Sequence, residues 1–395
     1  MKICIISNLY PPHVRGGAEK VAADMAAGWV AAGYSVVVIS TKPAAGLSIE
    51  QQSGRCRVYR FKPLNIFYYL NDFKHSVPIR LLWHFLDMFN LHSAFVVRGI
   101  LRNERPDIVI THNLKGIGLL IPKIIAREEI RHIHVLHDVQ LVVPSGLIIK
   151  GLENAFVTSG WMTRVYAALC RWLFCDIKEV VSPSKWLLDF YAANGFFEKA
   201  ESRVLRNPLV GAKNSVVGEA VKEKVVAARK FLFVGQLESH KGIEWLIEFW
   251  TKNNIENELL IVGAGSLSGD IEFFTAIKNI KFIGAVEGAA MRKILKDVAF
   301  LIVPSLCYEN SPRVIQLAFG GGVPVIVADV GGAAELVENE RTGFVFAAGD
   351  EESFAGALKK AKALSAEEYA NMSRRCLLKL EEFDIDEYIK KVARR

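Results

Sequence analysis

Residues 2–40 read KICIISNLYPPHVRGGAEKVAADMAAGWVAAGYSVVVIS. An apolar run, Lys2–Ser7, gives way to a Pro/Gly loop at Tyr10–Gly17. An Ala-rich helical stretch, Ala18–Ala32, stops at Gly33, and a β-branched run, Tyr34–Ser40, follows. Strand, loop, helix, glycine and strand in that order form the βαβ unit, which predicts parallel strands covered by helices. The apolar core of the first run is shorter than the h-region of a signal peptide and no small-residue cleavage site follows it. It is therefore expected to be the first strand of a domain.

The same alternation resumes at Asp107–Thr111, His132–His137 and Glu179–Ser182. After Asn207-Pro208 comes a polar, less patterned stretch, Gly211–Lys224, and then a second series: Phe231–Val234, Leu259–Val262, Lys281–Ile283, Ala299–Val303, Val323–Val327 and Phe344–Phe346. Two α/β domains are expected, with boundaries at 1–209 and 210–375, and a charged, strandless helical tail at 376–395. No short repeat or low-complexity segment interrupts them, which excludes a solenoid.

The bulk numbers agree. A chain of 395 residues exceeds one ordinary core, and 51% hydrophobic with 23% charged residues excludes fibrous and disordered classes. The net charge of +7 suits an acidic partner such as nucleotide phosphate or anionic lipid without choosing between them. The longest apolar stretches fall well short of the roughly 20 residues that span a bilayer. Cys4, Cys56, Cys170, Cys175, Cys307 and Cys376 are scattered without zinc spacing, so reduced, mostly buried thiols in a cytoplasmic protein are expected.

Ligands of open α/β sheets sit outside the carboxyl ends of the strands. After the first strand, Arg15-Gly16-Gly17-Ala18 opens a helix, where glycines and free amides suit an anion as well as they suit a tight turn. After Phe231–Val234 comes Gly235-Gln236 and then His240-Lys241-Gly242. A lysine at a helix start is on the wrong end for the macrodipole, and this one, beside glycine in a strand-end loop, points to a phosphate. Gly263-Ala264-Gly265 approaches GxGxxG, but Ser268 replaces the third glycine, and a plain turn is the better reading. His132 and His134 share one face of a strand and read as structural histidines, while His137 at the strand tip reads as a working residue. Past the strand Ala299–Val303 stands Glu309, with a helix expected to begin at Asn310, Ser311 and Pro312.

These motifs, in this order, resemble the family-4 glycosyltransferases, retaining enzymes of the GT-B fold. The resemblance covers nearly the whole chain. In the first half it rests on Tyr10-Pro11-Pro12 with Gly16-Gly17-Ala18-Glu19, Thr111-His112-Asn113, His137-Asp138, and Ser182-Pro183-Ser184 with Arg206-Asn207-Pro208. In the second half it rests on Phe233-Val234-Gly235, Lys241-Gly242, Ile261-Val262-Gly263, Pro304-Ser305, Glu309-Asn310-Ser311-Pro312, Val323-Pro324-Val325, Gly331-Gly332 with Glu335, and Thr342-Gly343-Phe344. It implies two Rossmann-like domains facing across a cleft, with the final helix returning to the first. A nucleotide-sugar donor would lie mainly on the C-terminal domain and a glycan or lipid-linked acceptor on the N-terminal one. By the same resemblance Glu309 faces the donor sugar, and the amides of Asn310 and Ser311 bind its hydroxyls. Lys241 neutralises the departing diphosphate, the Gly16 and Gly17 amides meet the same phosphates, and His137, with His112 as a second candidate, binds near the reacting carbon. No metal and no resident cofactor are implied, since no DxD-like pair is placed to hold an ion, and no nucleic-acid partner is expected.

Two positions depart from the family pattern. Gln236 stands where an arginine is usual, and Leu317 where a second glutamate holds the ribose. Gln316 is adjacent, but one residue on a helix is about 100° of rotation. Losing a charge-assisted hydrogen bond costs on the order of 1.5–3 kcal/mol. Arg313 and His240 stand close enough in sequence to supply the missing positive charge.

The stretch Asn65–Asn90 mixes Phe67, Tyr68, Tyr69, Phe73, Trp83, Phe85 and Phe89 with basic residues, and Trp161–Phe174 repeats the mixture. Two readings stand side by side: docking on an anionic membrane surface, which would place a cytoplasmic enzyme peripherally on the inner leaflet, and packing on the domain core. Three functions follow in order: a glycosyltransferase of cell-surface polysaccharide synthesis, a non-catalytic GT-B-shaped scaffold, and a Rossmann dehydrogenase resting on Gly263–Gly265 alone.

Overall fold

The computed structural model describes residues 1–210, 230–269 and 279–394, so the polar stretch Gly211–Lys224 lies outside the described residues. The chain divides into two compact units. Unit 1 comprises Met1–Gly146, Ser159–Val210 and Ile385–Arg395; unit 2 comprises Leu147–Thr158 and Gly211–Asp384.

Unit 1 is built on an eight-stranded sheet in the order β3-β4-β2-β1-β5-β6-β7-β8. In chain order these are β1 (Lys2–Ile6), β2 (Ser35–Thr41), β3 (Ser48–Ser53), β4 (Cys56–Phe61), β5 (Ile108–Thr111), β6 (Arg131–Val135), β7 (Glu179–Ser182) and β8 (Glu201–Val204). Every pairing is parallel except β3 with β4. Strands β3, β4 and β8 are additions to the sequence reading. β3, SIEQQS, is an edge strand with hardly any buried residue, so it carries no alternation to detect. β4, CRVYRF, is interrupted by arginines. Arg60 is nonetheless buried, because its guanidinium donates to the carbonyls of Tyr10 (3.0 Å) and Pro11, fixing the loop after β1.

Helix α1 (Gly17–Ala31) lies over β1 and β2 and places Val21, Met25 and Trp29 in the core beside Ile3, Ile5, Val36 and Val38. The same core takes Tyr388, Ile389 and Val392 from the last helix, which is paired with α1. That last helix runs Ile385–Ala393. The expected start of the tail at 376 falls inside an earlier helix, Ala366–Lys379, which buries Tyr369, Met372 and Cys376 in unit 2.

Unit 2 has a six-stranded, wholly parallel sheet, β11-β10-β9-β12-β13-β14. Its strands are β9 (Phe231–Gln236), β10 (Leu259–Ala264), β11 (Ile280–Gly284), β12 (Phe300–Val303), β13 (Val325–Asp329) and β14 (Gly343–Ala347). All of them coincide with runs read from the sequence; β9, β10, β12 and β13 are largely buried and are written as continuous apolar runs, whereas the edge strand β11 is mostly not buried. The core joins Phe231, Trp250, Phe300, Phe344, Phe354 and Tyr369. Strand order reverses between β9 and β12, so a crevice opens past the carboxyl ends of these two strands, the place where doubly wound sheets take ligands. In unit 1 the equivalent reversal lies between β1 and β5.

Candidate active site

The loops after β9 and β12 carry Lys241 and Glu309, and the fold joins them: Lys241 Nζ lies 3.0 Å from Glu309 Oε2. Two local features make the approach possible. Gly242 has φ 73°, and a Cβ there would stand 2.0 Å from the carbonyl oxygen of Pro304. Only glycine lets the Lys241 turn lie flat on the loop after β12. The Leu306 amide then donates to the His240 carbonyl at 3.0 Å, stitching one loop to the other. On the far side, the amides of Gly332 (2.7 Å) and Ala333 (3.2 Å) donate to the Glu309 carbonyl, so the Gly331-Gly332 turn after β13 grips the Glu309 backbone.

The carboxylate has a second partner, the Ser305 hydroxyl, which donates to Oε1. Burial alone would push the Glu309 carboxyl up, but the Lys241 ammonium and the Ser305 hydroxyl outweigh it and hold the pKa below the ordinary value. Burial alone would likewise depress Lys241, and Glu309 outweighs it and raises the ammonium pKa. Both groups are therefore charged at neutral pH. His240 moves the other way: burial and the neighbouring Lys241 charge lower its pKa, so it is a neutral imidazole at pH 7 and adds no positive charge there.

The helix after Glu309 begins later than expected. It spans Arg313–Gly320, with Pro312 as its N-cap. Asn310 and Ser311 thus precede the helix and do not form its first turn. Asn310 is buried, and the Ser311 hydroxyl is buried with no hydrogen-bond partner among the described residues. Arg313, half-buried, opens the helix. Farther along, Gln316 is fully buried while Leu317 is 40% exposed, so the glutamine turns into the core and does not replace the absent glutamate. Gln236 ends β9 on the exposed side, next to Gly235. The Gly263–Gly265 turn has a packing explanation: a Cβ at Gly263 would lie 1.8 Å from the Gly235 carbonyl oxygen and one at Gly265 2.4 Å from that of Leu237. These glycines let β10 close on β9.

In unit 1, His112 at the end of β5 and His137 just past β6 form a ring pair, His112 Nδ1 to His137 Nε2 at 2.7 Å. Burial lowers the His137 pKa to about 4, and burial with the neighbouring imidazoles lowers that of His112 well below its ordinary value. Both rings are neutral at pH 7, able to donate one N–H and accept one. A small concave pocket of unit 1 is lined by His112, Asn113, His137, Asp138, Gln140 and Tyr191. Asp138, given no role from sequence, organises it: its carboxylate accepts from the Gln140 amide (2.8 Å) and Asn113 Nδ2 (3.1 Å), and its carbonyl accepts from the Tyr191 hydroxyl (2.8 Å). His132 and His134 both bond the Thr111 hydroxyl, each at 2.8 Å, which makes them internal packing groups. The Gly16 amide donates to Glu19 Oε2 at 2.9 Å in a capping arrangement, so it already has a partner. Gly17 is the first residue of α1. Among the described residues no group of three or more His, Cys, Asp or Glu side chains could hold a metal ion.

Comparison with known proteins agrees with this reading of the fold. Residues 16–208 match the glycosyl transferase 4-like domain and residues 228–362 match glycosyl transferases group 1. A Klebsiella pneumoniae relative, an uncharacterized 42.6 kDa protein in the cps region, is 24% identical over 85% of this chain and 87% of its own. An Escherichia coli relative, UDP-Gal:alpha-D-GlcNAc-diphosphoundecaprenol alpha-1,3-galactosyltransferase, is 32% identical over 35% of this chain and 38% of its own. Among solved structures, the Anabaena protein HepE in complex with UDP superposes with a TM-score of 0.70 at 18% identity, covering 99% of both chains. The architecture is that of a GT-B glycosyltransferase. The chain belongs to family 4 of these enzymes.

Proposed function

We propose that this protein is a retaining, metal-independent hexosyltransferase that moves a sugar from a nucleotide-sugar donor to a lipid-linked or growing surface glycan. The observation that carries this reading is the Lys241–Glu309 pair at the switch point of the unit 2 sheet. In the reaction the bond between the sugar's anomeric carbon and the diphosphate oxygen breaks, and the acceptor hydroxyl oxygen bonds to that carbon on the same face. The hydroxyl proton leaves with the diphosphate. Lys241 supplies positive charge where the diphosphate gains negative charge, an electrostatic task a fixed ammonium performs without a metal. Glu309 fixes the donor sugar through its hydroxyls.

Two relatives support the finer points. HepE binds UDP, and the E. coli galactosyltransferase acts on a diphosphoundecaprenol-linked sugar, as their names state. The retained Lys241–Glu309 pair favours turnover over a scaffold role despite Gln236 and Leu317. A thermal-shift panel of UDP, GDP, ADP and CMP tests the reading: one nucleotide is expected to stabilise the protein. No shift with any of them would return the scaffold reading to first place.

A lipid-linked acceptor places the enzyme at a membrane, and the surface of unit 1 suits one. Among the described residues no helix is long and apolar enough to cross a bilayer. The rings singled out in the sequence mostly pack inward: Tyr68, Tyr69 and Trp83 form a small core with Leu9, and Phe67 stacks on Trp83 at 5.3 Å. The ring of Phe73 lies outside the described side chains. The exposed apolar residues are mostly aliphatic, with Val77, Leu81, Leu82 and Leu86 beside Phe85 on one helix and Leu91 (76% exposed) beside Phe95 (79%) on the next. Lys62 and Lys74 are exposed in the preceding stretch, Arg102 is exposed on the second helix, Asp72 pairs with Arg15, and Asp87 is buried. Exposed apolar side chains with exposed cations nearby in sequence fit an anionic lipid surface. Flotation with phosphatidylglycerol vesicles is expected to carry the protein upward, and Leu82→Glu with Phe85→Glu to leave it in solution. Equal recovery of both would remove the membrane from the proposal.

A further inference from the structure

Unit 2 contains one segment from the N-terminal half of the sequence, Leu147–Thr158, whose flanking residues Gly146 and Ser159 both belong to unit 1. It runs antiparallel beside the approach to Glu309. Ile149 bridges Cys307, the Lys150 amide donates to the Leu306 carbonyl at 2.8 Å, and the Tyr308 amide donates to the Ile148 carbonyl at 3.0 Å. Side chains tie the segment down twice more. Lys150 Nζ donates to the Ala348 carbonyl at 2.7 Å, just past β14. The Tyr308 hydroxyl donates to Glu153 Oε1 at 2.8 Å, and the same oxygen accepts the Gly151 amide at 2.9 Å.

Leu306 is consequently held from both sides. Its amide donates to His240, next to Lys241, and its carbonyl accepts from Lys150. Residues 306–308 lead directly into Glu309, so the segment braces the loop that presents the carboxylate, on the side away from the Lys241 turn. A loop carrying a working side chain is ordinarily among the more mobile parts of a fold. Here two main-chain hydrogen bonds and two side-chain bonds replace that freedom with a short strand pairing.

We propose that Leu147–Thr158 is a positioning strap for Glu309, with Lys150 and Tyr308 as its positioning residues. The proposal rests on the reading of Lys241 and Glu309 as the working pair of sugar transfer. Misplacing a group in such a site by about 1 Å can cost a hundredfold in rate. Removing one strap bond of several moves the loop less, and a loss of about tenfold is expected on that scale.

The test uses the full chain and three variants, Lys150→Met, Tyr308→Phe and Glu153→Gln. Hydrogen exchange is read first, since it needs no substrate. In Lys150→Met and Tyr308→Phe, amide exchange over residues 306–310 is expected to rise, while that of β12 is unchanged. Hydrolysis of UDP-glucose and GDP-mannose, followed as release of UDP or GDP, is read second. There kcat should fall about tenfold with KM and the melting midpoint held, and Glu153→Gln, which keeps an acceptor oxygen, should match wild type. Unchanged exchange over 306–310 overturns the strap. So does a joint fall of kcat and melting midpoint in all three variants, which marks general structural support. Wild-type turnover in the two strap variants beside an impaired Glu309→Gln also overturns it, leaving the site reading intact. Wild-type turnover in Glu309→Gln itself removes the site reading, and the strap with it.

Discussion

Lys241→Ala is expected to abolish nucleotide-induced stabilisation and to lower sugar transfer by about 10²–10³-fold, the range seen when one electrostatic stabiliser of a reaction is removed. The expectation comes from what the ammonium does in the resting fold. It neutralises Glu309 and stands at the start of a helix, a location no lysine favours without a partner. Alanine leaves the Glu309 carboxylate, 16% exposed, with only the Ser305 hydroxyl, so its pKa rises. The lost charge-assisted hydrogen bond costs the fold about 1.5–3 kcal/mol. Glu309→Gln should behave in the opposite sense toward the nucleotide: the ammonium is released from its counter-charge, so binding is kept or tightened while turnover falls. The double variant should be less destabilised than the sum of the two singles, because the unpaired charge that each single variant leaves is gone. Calorimetric titration of the stabilising nucleotide into all three proteins checks this. Equal nucleotide affinity in Lys241→Ala and wild type would remove Lys241 from the donor site.

The contrast between the two units shows which physics a sequence records. The inner strands of the unit 2 sheet, β10, β9, β12 and β13, were legible because burial on both faces demands unbroken apolar runs. β3 escaped because an edge strand has no buried face to write into its sequence, and β4 because Arg60 is buried through two carbonyls of a loop far from it in sequence. Strand-end loops drew attention to Lys241 and Glu309 separately. Their meeting depends on the reversal of strand order between β9 and β12, which a linear pattern does not contain. The helix boundary at Arg313 was misplaced for a local reason: proline is favoured at the first helical position, yet here Pro312 adopts extended backbone as the N-cap. The strap Leu147–Thr158 was invisible, since LIIKGLENAFVT looks like a continuation of the first domain and its partners lie around residues 306–308 and 348. In the aromatic stretch, ring content was the wrong signal. Phe67, Tyr68, Tyr69 and Trp83 found each other, and mostly aliphatic side chains, with Phe85, were left outside.

Acidification from pH 7 to pH 5 is expected to destabilise this protein, and the cause is the histidine cluster of unit 1. His112, His132 and His134 are buried and neutral, and burial lowers the pKa of each, that of His132 to about 3. An unfolded histidine takes up its proton near pH 6.5, so below that value the unfolded state holds more protons and folding weakens by about 1.4 kcal/mol per pH unit for each imidazole. At pH 5 that is about 2 kcal/mol for His132, and His112 and His134 act in the same direction. Buried carboxyls act against them. Asp87 has its pKa pushed up to about 7 by burial, and Asp138 is raised in the same way. A raised carboxyl is protonated in the fold before it is in the open chain, so Asp87 returns about 2 kcal/mol over the same interval. The imidazoles outnumber the carboxyls, and the balance falls with pH. Urea titrations at pH 7, 6 and 5 should show a steadily falling midpoint, and His132→Gln, which keeps a hydrogen-bonding group beside Thr111, should flatten the decline by about one proton's worth. A midpoint that holds or rises on acidification would mean that the carboxyls outweigh the histidines, and that the cluster is protonated or hydrated within the fold.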